Sequence, residues 1–313
     1  AEEIEEMAEM LDHMEDILSV QLPGGDLKVL DQLEFQRVGH RIGYLPAGRN
    51  VAVKIPGNIP TICIYWLVPL ACKRPVMLIP PEQDLFSHWL LREAIQAADS
   101  ELANAIFFLP AAPAVQRGLM QLADQVILPE SSSDWVQPGM QSKTKLIHYG
   151  QSKLLVPEEW SDEAVLIAYR RMNWKYGRTC TGLTSVILRD RPDVFCEILA
   201  LELNREFLDT FEGDRHRLPL FRIDQAQQIN AQINAWLKTG EVVDVTEDMR
   251  GHGRLLIDGN YAMFLPTVLW VRNPDHEAFG WELPFPFITV TATDSRERQI
   301  QLCRNSLIVS VYS

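Results

Sequence analysis

From Asn50 onward the chain alternates short apolar runs with stretches of helical periodicity, and few architectures accept that alternation. The runs Val51–Ile55, Val76–Ile79, Ala105–Leu109 and Gln125–Leu128 predict strands, and Thr61–Lys73, Asp84–Ala98 and Ala114–Ala123 predict the helices between them. This is the signature of an α/β domain with a largely parallel sheet. Such sheets bind ligands beyond the carboxyl ends of their strands, where the turns Pro56-Gly57-Asn58 and Pro80-Pro81-Glu82 fall. Pro129 to Lys143, rich in Ser and Pro, reads as a loop. A second α/β stretch follows, with a helix at Asp162–Lys175, a strand at Thr184–Leu188 and a long helix from about Asp193 to Phe211. Ahead of both, Ile4, Met7, Met10, Leu11, Met14, Ile17 and Leu18 recur at helical spacing over an acidic opposite face. That helix either packs on its own domain or offers a methionine-rich docking face. The resulting division is 1–48, 49–144, 145–290 and a last segment, 291–313, returning to the first domain.

Composition removes several classes of function. With 313 residues, 47% of them hydrophobic and 23% charged, the chain can bury a substantial core as a soluble protein. A formal net charge of −13 argues against nucleic acid or an anionic membrane as the main partner, since a phosphate-tracking surface needs basic excess. The longest apolar run, Ile59 to Cys72, is interrupted by Pro60 and Pro69 and falls short of the roughly 20 residues of a membrane span, so it reads as a buried helix. Five cysteines without paired spacing imply reduced thiols in a cytoplasm-like compartment, and zinc ligation has no support. The acidic first residues lack the pattern of a signal peptide.

One cysteine stands apart. Cys180 lies in Tyr176-Gly177-Arg178-Thr179-Cys180-Thr181-Gly182, a polar, glycine-flanked loop that runs directly into the apolar strand Thr184–Leu188. A thiol there is within reach of a substrate, and the flanking glycines let the backbone approach a ligand closely.

Four segments in order resemble the aldehyde dehydrogenase superfamily. Ile55-Pro56-Gly57-Asn58-Ile59-Pro60 is similar to the family's Pro-Trp-Asn-Phe-Pro turn, and Val76-Met77-Leu78-Ile79-Pro80-Pro81-Glu82 to its cofactor-side strand and turn. The Cys180 loop resembles the Gly-Gln-x-Cys-Thr nucleophile segment. Gly259-Asn260-Tyr261, Pro266-Thr267-Val268-Leu269 and Trp281-Glu282-Leu283-Pro284-Phe285-Pro286 resemble the Gly-x-Tyr, Pro-Thr-Leu and Glu-Glu-x-Phe-Gly-Pro series. The resemblance implies a Rossmann-type cofactor domain followed by an α/β catalytic domain, truncated at the C-terminus. Pro56-Gly57-Asn58-Ile59-Pro60 is closer to the corresponding turn of acyl-thioester (acyl-CoA) reductases.

The roles implied follow residue by residue. Cys180 would be the nucleophile, and Asn58 would donate its side-chain amide to the oxyanion, a contribution of about 2.7–4 kcal/mol to the barrier. Without the resemblance Asn58 reads as a turn residue. Glu282 matches the glutamate that holds the nicotinamide ribose, although Pro284 and Phe285 replace the family's Phe and Gly. Pro56, Glu82 and Ser131 match cofactor-side positions. Ile79 replaces a lysine that grips the adenosine ribose, which removes a charge-assisted hydrogen bond of about 1.5–3 kcal/mol, and Glu130 places an acid where a glycine faces the pyrophosphate. His148 stands where the hydrolytic glutamate belongs; it either acts as a base or marks an enzyme that passes its acyl group to a thiol.

Three functions compete on these grounds. The leading one is an oxidoreductase that interconverts an aldehyde and an acyl thioester through Cys180, with NAD or NADP as hydride partner and coenzyme A or a carrier protein as thiol. The others are a hydrolytic aldehyde dehydrogenase using His148 and a cofactor-impaired scaffold docking through Glu2–Leu18. The sheet left open at Val309-Ser310-Val311 implies either a fragment or a fold completed by another segment or chain, as a homo-oligomer or with a partner chain.

Overall fold

The computed structural model describes residues 2–22, 25–32, 34–37, 40–43, 49–57, 60–81, 84–147, 151–210 and 218–312. The chain divides into two units, 1–148 and 149–313.

In the first unit five strands form an all-parallel sheet in the spatial order Ile106–Phe108, Val76–Ile79, Val51–Lys54, Gln125–Pro129, Thr144–Ile147. Numbered along the chain the order is third, second, first, fourth, fifth, so the direction of winding reverses between Val51–Lys54 and Gln125–Pro129. Strands with both faces covered carry unbroken apolar runs, and Val51, Ala52, Val53, Val76 and Leu78 are wholly buried. The apolar stretch from Ile59 becomes a 3-10 turn, Pro60–Cys63, and a helix, Ile64–Ala71, that buries Cys63, Trp66, Leu67 and Leu70. The amphipathic start of the chain forms two successive helices, Glu2–Asp12 and Met14–Gln21. Met7 is buried, and Met10 and Met14 pack beside it on the cluster that holds Trp66 and Val53. The methionine face is thus spent inside its own unit, which corrects the docking-helix expectation for Glu2–Leu18.

The second unit is built on a six-stranded sheet in the order Val242–Asp244, Thr267–Val271, Phe287–Ala292, Leu183–Leu188, Gln151–Val156, Ser306–Val311, with only the first strand antiparallel. Leu183–Leu188 is central and buried along its whole length. Ser306–Val311 pairs with Gln151–Val156. The segment 291–313 therefore belongs to the second sheet and does not return to the first domain, because its alternating strand finds an edge already aligned by Gln151–Val156. Helix Asp162–Met172 starts on Ser161, whose Oγ accepts from Glu163 N, carries Asp162 and Glu163 in its first turn and ends on Arg170 and Arg171, all favourable to the helix dipole.

A three-stranded antiparallel sheet, Phe221–Arg222, Tyr261–Phe264 and Leu255–Asp258, is attached to this unit. Its hairpin pairs Asp258 with Tyr261 around Gly259 at φ +59°, so the Gly-x-Tyr match marks a tight turn. Beneath it lies a buried ion cluster. Arg254 donates from Nε to Asp244 at 2.9 Å, from Nη2 to Glu247 at 2.6 Å, and from Nη1 to Asn230 and Asn234 at 2.8 and 2.9 Å. The four partners come from three elements, so the guanidinium fixes helix Ile223–Leu237 against strand Val242–Asp244 and helix Val245–Arg250. Removing one member leaves buried groups unpaired. Arg254→Ala should cost about 3–5 kcal/mol, read as a lowered urea midpoint.

Candidate active site

The nucleophile segment begins where helix Asp162–Met172 stops. Lys175, Tyr176 and Gly177 follow at φ +52°, +55° and +72°, a left-handed run that reverses the chain. Only Gly177 needs its residue type there: a Cβ would lie 2.2 Å from the Phe285 carbonyl carbon and 2.5 Å from Pro286 N. The sequence reading assigned this glycine to close approach of a ligand. Its close neighbour is instead the chain's own backbone, in the segment that carries Glu282.

Phe285 provides a firm wall. It is 1% exposed, stacks on Phe264 at 4.5 Å between ring centroids and meets Phe287 and Phe221 edge-on at 5.7 and 6.4 Å. The carbonyl of Pro286 accepts from Thr267 N at 2.9 Å, which ties the Pro-Thr-Leu match to the same segment.

Past Gly177 the chain turns tightly. Gly182 N donates to the Thr179 carbonyl at 2.9 Å, Thr181 N donates to Thr179 Oγ1 at 3.2 Å, and the two threonine hydroxyls lie 2.9 Å apart. Ser152 Oγ donates to the Cys180 carbonyl at 3.2 Å, fixing the loop to the neighbouring strand. Cys180 sits half-buried on this turn, at the amino end of the central strand. Burial pushes its thiol up, the Glu282 charge raises it further, and the backbone N–H groups of Cys180 and Thr181 oppose both by favouring the thiolate. All five cysteines are unpaired.

Glu282 lies in the turn between Gly280 and Phe285. It keeps access to solvent, yet desolvation by the surrounding protein raises its carboxyl from the usual range to about 7. Gly280 N donates to Thr289 Oγ1 at 3.2 Å, and Thr289 Oγ1 donates to the Thr184 carbonyl at 3.2 Å beside Ser185 Oγ at 3.1 Å. Thr289 and Ser152 were not read as site residues in the sequence; hydroxyls within apolar strand segments were the available signal.

Of the remaining predicted residues, Pro56 is buried in the turn after Val51–Lys54. Asn58, Glu82 and His148 lie outside the described residues, as does the side chain of Ser131, whose backbone is part of the 3-10 helix Glu130–Trp135. Among the described residues no group of three His, Cys, Asp or Glu could hold a metal ion, and no described helix is long and apolar enough to cross a membrane.

At the winding reversal Lys54 Nζ lies 4.0 Å and the Arg117 guanidinium 5.2 Å from the centroid of the Trp135 ring. Two cations and a flat aromatic at this position fit a diphosphate joined to a base. Ile79 is wholly buried in the core, so the position matched to the family's ribose-binding lysine offers no donor.

No protein-family model and no curated protein matches the sequence. Solved structures do. A betaine aldehyde dehydrogenase from Staphylococcus aureus superposes at TM-score 0.69 with 17% identity over 87% of this chain and 57% of its own. A succinic semialdehyde dehydrogenase from Streptococcus pyogenes, in complex with NADP+, gives 0.70 and 16% over 91% and 66%. An aldehyde dehydrogenase from Bacillus cereus, in complex with NAD+, gives 0.62 and 17% over 84% and 55%. The chain has the aldehyde dehydrogenase fold, and it spans between 55% and 66% of the length of these structures.

Two outcomes follow from the geometry. Gly177→Ala has to move the Phe285 backbone and hold a strained φ, so it should lower the thermal midpoint by several degrees, on the order of 1–2 kcal/mol for the left-handed backbone alone, and slow alkylation of Cys180. Glu282 binds its proton more tightly folded than unfolded, so its contribution to stability falls as pH rises from about 4.5 to about 7. Glu282→Gln should flatten that decline, giving a variant more stable than the parent at pH 8 in denaturant titrations.

Proposed function

We propose that this chain carries the nucleophile of an oxidoreductase that interconverts an aldehyde and an acyl thioester through a covalent Cys180 intermediate. The observation that supports this most is the Cys180 turn itself: a half-buried thiol on a tight turn that Ser152 clamps at the amino end of a fully buried strand.

In this reading the Cys180 sulfur adds to the carbonyl carbon and the carbonyl electrons move to oxygen. The amide of Asn58 and the Cys180 N–H are the donors assigned to that oxyanion. A bound NAD or NADP supplies the acceptor or donor of hydride. Lys54, Arg117 and Trp135 at the winding reversal would hold its diphosphate and base; Pro56, Glu82, Ser131 and Glu282 are the cofactor contacts that the resemblance implies. The acyl group then leaves to a thiol such as coenzyme A or a carrier protein. His148 at the place of the hydrolytic glutamate supports thiol transfer over water, and serves as the base if water is the acceptor.

A cofactor-impaired scaffold is the reading favoured by the buried Ile79. Its docking element is lost, because Met7, Met10 and Met14 cover their own core.

Cys180→Ala should abolish acyl labelling by an acyl thioester and all nicotinamide-dependent turnover while leaving the fold intact by circular dichroism. Survival of turnover in that variant excludes the mechanism. Calorimetric titration with NADH and NADPH separates the enzyme, expected to bind at micromolar concentration, from the scaffold, expected to bind weakly or not at all.

A further inference from the structure

We infer that Gln151 is a positioning residue for this site: its side-chain amide, seated on Gly280, holds the segment that carries Glu282 in register with the Cys180 turn. This rests on the reading of Cys180 as nucleophile and adds a residue that the resemblance does not assign.

Gln151 and Ser152 open strand Gln151–Val156, and successive side chains of a strand point to opposite faces. On one face Ser152 Oγ donates to the Cys180 carbonyl at 3.2 Å. On the other, Gln151 lies against Gly280: a Cβ on that glycine would stand 2.6 Å from Oε1, 3.1 Å from Cδ and 3.2 Å from Nε2. The whole amide covers the place where a side chain would begin. Gly280 also sits at φ +86°, a backbone that other residues hold only under strain, so its conformation and its surroundings both require the residue type.

Two further contacts fix the same stretch. The Gly280 N–H donates to Thr289 Oγ1 at 3.2 Å, and that hydroxyl donates to the Thr184 carbonyl at 3.2 Å. Lys153, which shares the face of Gln151, places Nζ 5.9 Å from the centroid of the Phe279 ring and anchors it on the Leu302 carbonyl at 2.6 Å. Phe279 and Gly280 are therefore laid against the start of strand Gln151–Val156, and Glu282 follows two residues later. At the far end of this segment Phe285 and Pro286 press on Gly177, three residues before the cysteine.

One strand end thus sets two segments. Residue 152 holds the nucleophile turn, and residue 151 holds the turn that carries Glu282. Gln151 acts through Gly280, by the volume its amide fills.

The test is a double-mutant cycle on the full chain, read as the rate of Cys180 alkylation by iodoacetamide in the folded protein, with the label located by mass spectrometry. Gln151→Ala, which empties the space over Gly280, should slow the reaction. Gly280→Ala, whose methyl enters that space, should slow it further. With both substitutions the methyl occupies the vacated volume, and the rate should exceed that of Gly280→Ala by at least about threefold, within the coupling usual for residues in contact. A smaller recovery, or none, overturns the inference. A purely structural contact would lower the urea midpoint of Gln151→Ala and leave the alkylation rate of its folded state at the parent value, and that result overturns it as well. Should Gly280→Ala not fold, Gln151→Met decides: a side chain of similar volume should bring the rate to within about twofold of the parent, and a rate short of that counts against the inference. Failure of Cys180 to accept an acyl group from an acyl thioester defeats the nucleophile reading instead, while the cycle, which needs only the position of the sulfur, still stands.

Discussion

The backbone of Gly177 lies against the backbone of Phe285 and Pro286 with no room for a side chain between them, and the shape of the nucleophile loop depends on that approach. Phe285 cannot yield, because its ring is stacked in an aromatic cluster that also holds the small antiparallel sheet in place. The loop therefore turns left-handed over three residues, tightens through Thr179 and Thr181, and delivers Cys180 at the amino end of a strand that is itself immobilised on both sides. The stability of a remote aromatic core is thus converted into the position of one sulfur.

The same contact links segments far apart in the chain. Pro286 accepts from Thr267, Gly280 is held by Thr289, and Thr289 reaches the strand that follows Cys180. The motifs around 177–182, 266–269 and 281–286 consequently form one hydrogen-bonded and packed body around the nucleophile. Glu282 is carried on it, and partial removal from water gives its carboxyl a neutral-range titration that a glutamate on an open loop would lack.

The strands of both sheets were legible because buried parallel strands are continuous apolar runs: the expected Val76–Ile79 is the observed strand, and Val51–Ile55 and Thr184–Leu188 differ from theirs by one residue. Thr144–Ile147 and Gln151–Val156 were missed as strands because Lys145, Gln151, Ser152 and Lys153 interrupt their apolar pattern. In Lys153 that interruption is resolved by burial with partners, since its Nζ donates to the Leu302 carbonyl at 2.6 Å. The segment 291–313 was assigned to the other domain for a related reason: a strand's own pattern does not say which sheet edge it joins.

The sequence by itself determined the α/β class, the alternation that makes parallel sheets, and the cysteine on which any chemistry depends, since periodicity and residue type are local properties. Tertiary structure alone decided the rest. It showed that Gly177 meets the Phe285 backbone, that the methionine face of the first helices packs within its own unit, and that the segment carrying Glu282 is held against the Cys180 loop. Each of these is a relation between residues dozens or more positions apart, and only packing brings such pairs together.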